Sequence, residues 1–145
     1  MAFVLDSSVA LSWCFEDEVT EATLRIRERL STERAVVPSL WLLEVAHVLL
    51  LGARRGRLTA EAAAEFADLL VGLPIDVVEP ERDIADLMQL AAEHRLTAYD
   101  AAYLQVAAAR RLPLATLDAT LAGAARSAGV ALLGCAEPPP GRRDR

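Results

Sequence analysis

The chain contains no lysine: all fifteen of its basic residues are arginine. Phosphate chemistry that depends on a lysine side chain is thereby excluded. Cysteine is scarce too, since Cys14 and Cys135 are the only two, without metal-ligand spacing or the density of a disulfide scaffold. With only two histidines beside them, no Cys/His cluster suits zinc. The cysteines are expected to be reduced thiols of a cytoplasmic protein. Uninterrupted apolar runs are missing as well. The most hydrophobic stretch, AVVPSLWLLEVAHVLLLGA at 35–53, is cut by Pro38 and interrupted by Glu44 and His47. A membrane span needs about 20 apolar residues in succession, so a short strand, a turn and a buried helix are expected instead, and no membrane association. A basic leader region is absent and Asp6 breaks the first apolar run, so no signal peptide is expected. No internal repeat is evident.

What is present suits one folded unit. The 145 residues are 54% hydrophobic, enough to bury a core. A single domain is expected over 1–134, followed by a loose tail over 135–145, where EPPPGRRDR has no core-forming pattern. The net charge is −6, which does not advertise a nucleic-acid binder. Arginines nevertheless cluster locally, Arg54, Arg55 and Arg57 in one place and Arg110 and Arg111 in another. Taken alone, such clusters are explained by favourable charge at helix C-termini.

Short aliphatic runs alternate with amphipathic stretches. Strands are expected at Phe3–Leu5, Ala35–Val37, Ile75–Val78, Pro113–Thr116 and Val130–Leu133. Helices are expected from Ser7 or Ser8 to about Phe15, from Val19 to about Ser31, and from Leu40 to about Arg55 before Gly56. Others should run from a Thr59 cap to Val71, from near Pro80 to His94, from Thr97 to about Arg111, and from Leu121 to Ser127. The alternation indicates an α/β domain with a mostly parallel sheet and helices on both faces. In such folds ligands bind beyond the carboxyl ends of the strands.

Four of the 21 acidic residues occupy costly positions. Asp6 ends the first strand, where it also suits a helix N-cap. Glu44 lies in WLLEVAHVLLL, with Leu40, Trp41 and Val48 as its apolar helical neighbours and only His47 polar. A carboxylate there must be paired, protonated or metal-bound. Asp100, in LTAYDAAYL, fits a capping box with Thr97. Asp118 follows the fourth strand in PLATLDATL and again suits an N-cap, with Thr116 placed to orient a carboxylate or water. Four carboxylates converging on one cleft would raise one another's pKa values unless a divalent cation neutralised them. Ligation by oxygen alone favours Mg²⁺ or Mn²⁺, and such a site suits phosphodiester or phosphate chemistry.

The ordered set FVLDSS with Asp6, VPSLWLLEVAHVL with Glu44, LTAYDAAYLQVA with Asp100 and LPLATLD with Asp118 resembles the PIN domain. It is most similar to the small stand-alone PIN proteins that serve as VapC-type toxins of toxin–antitoxin pairs, over about Phe3 to Leu133. The resemblance implies a PIN-like three-layer α/β fold, its short, mostly parallel sheet flanked by helices on both faces. It also implies a Mg²⁺- or Mn²⁺-dependent endoribonuclease, a homodimer, and a cognate VapB-type antitoxin that covers the site. Carried over residue by residue, Asp6 and Asp100 are direct metal ligands, and Glu44 and Asp118 complete the catalytic quartet. Thr116 and Ser7 are supporting residues, and Arg54, Arg55 and Arg57 are candidates for binding RNA. The implied reaction is in-line attack of a metal-activated water on an RNA phosphorus, leaving a 5′-phosphate and a 3′-hydroxyl. One departure is His47, where relatives often carry Asn. Its ring offers Glu44 a hydrogen bond much as Asn would, and a polar filler is the plainer reading than a general base.

Receiver domains and haloacid-dehalogenase-like phosphatases also gather acids at strand ends, but each typically needs a lysine and a paired acidic motif. This chain has Asp6-Ser7-Ser8 and no lysine. The remaining alternative is a non-catalytic PIN-like protein that binds RNA or a partner without cutting.

Overall fold

Phe3, Val4 and Leu5 have no exposed surface at all. Successive strand residues face opposite sides of a sheet, so this strand, β1 (Ala2–Leu5), must be covered on both faces. The computed structural model, which describes residues 1–134, shows how. β1 lies inside a four-stranded, wholly parallel sheet of order β3-β2-β1-β4, with β2 at Arg34–Pro38, β3 at Ile75–Val78 and β4 at Leu114–Ala115. Helices flank the sheet: α1 (Ser7–Ser12), α2 (Glu21–Arg29), α3 (Leu40–Arg54), α4 (Ala60–Val71), α5 (Ile84–His94), α6 (Ala98–Arg110) and α7 (Ala119–Ser127). The expected loose tail and Cys135 lie outside the described residues. Among those described, no helix is long and apolar enough to cross a membrane.

Strand order locates the crevice. From β1 the chain moves to β2 and β3 on one side, then returns to place β4 on the other. The reversal falls between β1 and β4, and beyond their carboxyl ends the diverging connections leave room for a ligand. Asp6 and Thr116 directly follow those two strands. At the opposite edge, Arg34 and Asp76 join β2 to β3 through two hydrogen bonds of 2.9 and 2.7 Å.

Several elements differ from their sequence-based boundaries, each for a local reason. α1 stops at Ser12 rather than Phe15. Trp13, Cys14 and Phe15 turn into the core, where the Trp13 indole donates to Thr23 O at 2.8 Å. The Phe15 ring packs against Gly52 of α3, where an added Cβ would stand only 3.2 Å from it. α2 starts at Glu21 because Thr20 and Thr23 form a capping box, and Glu16–Glu18 is a separate 3₁₀ turn. Pro80 is not helical. Asp83 takes the cap of α5 by accepting from Asp86 N at 2.9 Å, so that helix begins at Ile84. The strand expected at 130–133 is reduced to one parallel bridge between Leu114 and Leu132.

The site hangs on β1. Leu5→Ala removes a fully buried side chain next to Asp6 and is expected to cost about 2–5 kcal/mol. Urea unfolding should show a lower midpoint at an unchanged slope.

Candidate active site

Asp6 occupies the N-cap position of α1 in extended backbone, yet its side chain makes no cap hydrogen bond. This corrects the expectation of a capping duty. Its Oδ2 instead accepts from Ser8 Oγ and from Thr116 Oγ1, both at 2.6 Å. Those hydroxyls are themselves engaged. Ser8 Oγ accepts from Leu117 N at 3.0 Å, and Thr116 Oγ1 accepts from Asp118 N at 3.0 Å. The β1–α1 and β4–α7 junctions are thus joined through one carboxylate that is only 5% exposed.

Asp118 does cap its helix. Its Oδ1 accepts from Thr120 N and Leu121 N at 2.8 and 3.2 Å. Asp100 sits half-buried in the first turn of α6, its backbone N–H bonded to Thr97 Oγ1 at 3.1 Å. Glu44, half-buried on α3, accepts a 2.5 Å hydrogen bond at Oε1 from the Tyr103 hydroxyl and lies within hydrogen-bonding reach of Ser7. Among the described residues it forms no ion pair, and the nearby His47 is exposed.

The four acids share one field. Burial raises the pKa of Asp6, the Ser8 and Thr116 hydroxyls oppose the rise, and the charges of Glu44 and Asp118 add to it. Burial likewise raises Glu44 against the bonds from Tyr103 and Ser7, and Asp100 adds to it. Asp100 is raised by burial, then by Asp118 and Asp6, against Thr97. Among the described residues, the charges acting on these carboxyls are therefore one another's, and every hydrogen-bonding group that steadies them is neutral. Among the described residues, no three Asp, Glu, His or Cys side chains are gathered tightly enough to form a metal-binding group as they stand. The donor chemistry and the charge still fit a hard divalent cation: the oxygens are all carboxylate, mutually repelling and, among the described residues, without a cationic partner.

The arginines are placed differently from one another. Arg57 reaches Asp17 at 3.0 Å and Glu18 at 3.4 Å and lies 4.1 Å over the Phe15 ring, so it is already engaged. Arg54 and Arg55 are exposed at the end of α3, about 15 Å along the helix from Glu44 at 1.5 Å per residue. Two polar residues of the site escaped the sequence reading. Ser8 holds Asp6, and Tyr103, fully buried, holds Glu44. The only signal for Tyr103 was its position three residues after Asp100, on the same side of a helix.

The chain's residues 3–127 match the family model described as PIN domain. Comparison with curated proteins returned no match. Among solved structures, the chain is similar to PAE2754 from Pyrobaculum aerophilum, with 24% identity, a TM-score of 0.68, and 86% of this chain and 84% of that one covered. It is similar to VapBC2 from Rickettsia felis, solved bound to a DNA fragment from its promoter, with 12% identity, a TM-score of 0.61 and coverage of 91% and 97%. A toxin–antitoxin complex from Klebsiella pneumoniae gives 17% identity, a TM-score of 0.53 and coverage of 80% and 86%. At these identities the likeness is one of fold.

The raised pKa values have a signed consequence for stability. Each acid binds its proton more tightly folded than unfolded, so its contribution is complete below the ordinary values of 3.8 for Asp and 4.5 for Glu and is lost as pH rises through the raised ones. Metal-free Asp100→Asn is therefore expected to melt higher than the parent at about pH 7 and to lose that advantage near pH 4. A circular-dichroism melt in which Asp100→Asn is the less stable protein at neutral pH would refute this electrostatic account.

Proposed function

The chain belongs to the PIN-domain family, and on that premise we propose that it is a Mg²⁺- or Mn²⁺-dependent endoribonuclease serving as the toxin of a toxin–antitoxin pair. The observation that carries the reading is a set of four acids at the carboxyl edge of a parallel sheet, three of them raised in pKa by burial and by one another. Such a cluster lowers the stability of the protein and is explained by a function that uses the charge.

In this reading Asp6 and Asp100 hold the ion directly, and Glu44 and Asp118 complete the site. When bound, the ion supplies a water made acidic enough to attack phosphorus and neutralises charge on the phosphate. The protein's residues do the rest. Ser8 and Thr116 fix Asp6 by one oxygen, leaving Oδ1 for coordination. The cap bonds of Asp118 use Oδ1 and leave Oδ2. Glu44, held at Oε1 by Tyr103, would complete the site as a ligand through water or by orienting the attacking water. Arg54 and Arg55, exposed and away from the acids, are the better placed of the arginines to meet the RNA backbone.

The partner is part of the same proposal. An open apolar groove of about 330 Å³ runs between α3, α4 and β3, lined by Trp41, Val45, Leu49, Leu70 and Ile75 among others. A VapB-type antitoxin segment with apolar side chains would fill it, and two of the similar structures are of VapBC2 and of a toxin–antitoxin complex. Ile84, Met88 and Tyr99 are exposed on α5 and at the start of α6, and they support association with a second copy.

Purified protein free of partner is expected to cleave RNA with Mg²⁺ or Mn²⁺ and to stop with EDTA. Asp6→Asn and Asp100→Asn should each lower the rate at least a hundredfold, or about 3 kcal/mol. Asp118→Ser, which retains a capping oxygen, should keep stability and lose activity, whereas Asp118→Ala should lose about 1 kcal/mol as well. Undiminished cleavage by Asp6→Asn would sink the assignment. RNA binding with no cleavage in either metal would instead establish the non-catalytic reading. Expression in bacteria should arrest growth, and Asp100→Asn should relieve the arrest.

A further inference from the structure

Of the two tyrosines, Tyr99 is 66% exposed and Tyr103 has no exposed surface. A buried phenol needs an acceptor, and a nearby backbone carbonyl would serve. Tyr103 instead donates to a carboxylate 59 residues away in sequence and on a different helix. Glu44 needs such a partner. Its neighbours Leu43 and His47 are exposed, so a long, flexible glutamate on this helix has open solvent within reach. We propose that Tyr103 is a positioning residue of the active site, holding Glu44 of α3 at the acidic cluster through the Oη–H···Oε1 hydrogen bond.

The placement favours this over simple core packing. Tyr103 lies three residues after Asp100, so α6 carries both a carboxylate of the cluster and the group that sets another. The ring has no exposed surface and belongs to a stretch of α6, Ala101–Ala107, that is buried throughout, so it cannot follow Glu44 outward. Ser7, at the start of α1, lies within hydrogen-bonding reach of both Glu44 and Tyr103. Three helices therefore meet at one carboxylate. The phenol also brings no charge. An arginine in its place would hold Glu44 as firmly but would cancel the negative charge that a cation needs.

This inference rests on the metal-nuclease reading, and its test separates the two. Mn²⁺ is titrated into the full-length protein and followed by electron paramagnetic resonance. The wild type is expected to bind, and Tyr103→Phe to bind about 10- to 100-fold more weakly, the scale of a lost hydrogen bond to a charged group. On RNA, kcat should fall by a similar factor with KM unchanged, and the metal-free melting temperature should stay within about 5 °C. In a Glu44→Ala background the same change should cost less than about twofold, since the group it acts through is gone. That comparison decides the matter even if the phenylalanine variant is less stable, because both backgrounds carry the same packing loss. Unchanged Mn²⁺ affinity in Tyr103→Phe, or an equal loss in both backgrounds, would overturn the proposal while leaving the nuclease reading intact. A wild-type protein that binds no Mn²⁺ would overturn both.

Discussion

Asp6 Oδ2 accepts two hydroxyl hydrogen bonds of 2.6 Å in a place almost closed to water. One donor comes from the first turn of α1, the other directly follows β4, 110 residues after Asp6. Each hydroxyl in turn accepts a backbone N–H from the β4–α7 connection. The two loops that diverge at the switch point are therefore fixed with respect to each other through one carboxylate. Removing a charge from water is costly, and two short hydrogen bonds offset part of that cost without removing the charge. Had the partner been an arginine, the junction would be as rigid but electrically silent.

The same arrangement recurs around the crevice. Asp118 is held at Oδ1 by backbone N–H groups, Glu44 at Oε1 by a phenol, and Asp100 through its own backbone by Thr97. Neutral groups hold these residues and leave the negative charge in place. The counterexample lies at the other edge of the sheet, where Asp76 meets Arg34 and its pKa falls, first through the hydrogen bond to that guanidinium. Other acids of this chain are likewise paired with cations at the surface, as Asp17 and Glu18 are with Arg57. The crevice acids are not. That contrast, more than any single motif, separates the candidate site from an ordinary solvated face.

Much of this could be read before any coordinates. β1 to β3 show themselves as aliphatic runs, and Thr59, Thr97 and Asp118 sit where caps belong and do cap. Legibility failed where a distant contact overrides a local preference. Asp6 has the right residue type and backbone for a cap, but hydroxyls from two elements compete for its side chain. Pro80 is a good early helical residue, yet Asp83 offers a better cap three positions on. Trp13 to Phe15 continue a helical pattern in sequence, but their bulk is needed between α1 and α3. Tyr103 and Ser8 were missed for the same reason. A hydroxyl announces neither its direction nor a partner dozens of residues away.

An acidic crevice on a chain of net charge −6 poses a problem for any polyanionic substrate. Phosphate backbones are drawn by positive charge and repelled by its opposite. Arg57, the arginine stacked on Phe15, is neutralised by two carboxylates, so it adds little long-range attraction. On the proposed nuclease reading, the charge that keeps RNA out of the empty crevice is the charge that draws in the cation. A bound divalent cation would offset part of that charge and present a positive centre to a phosphate. Metal and substrate binding would then be coupled through electrostatics. The coupling depends on the acids being steadied only by neutral groups, because any built-in cation would have weakened the metal and admitted the phosphate without it.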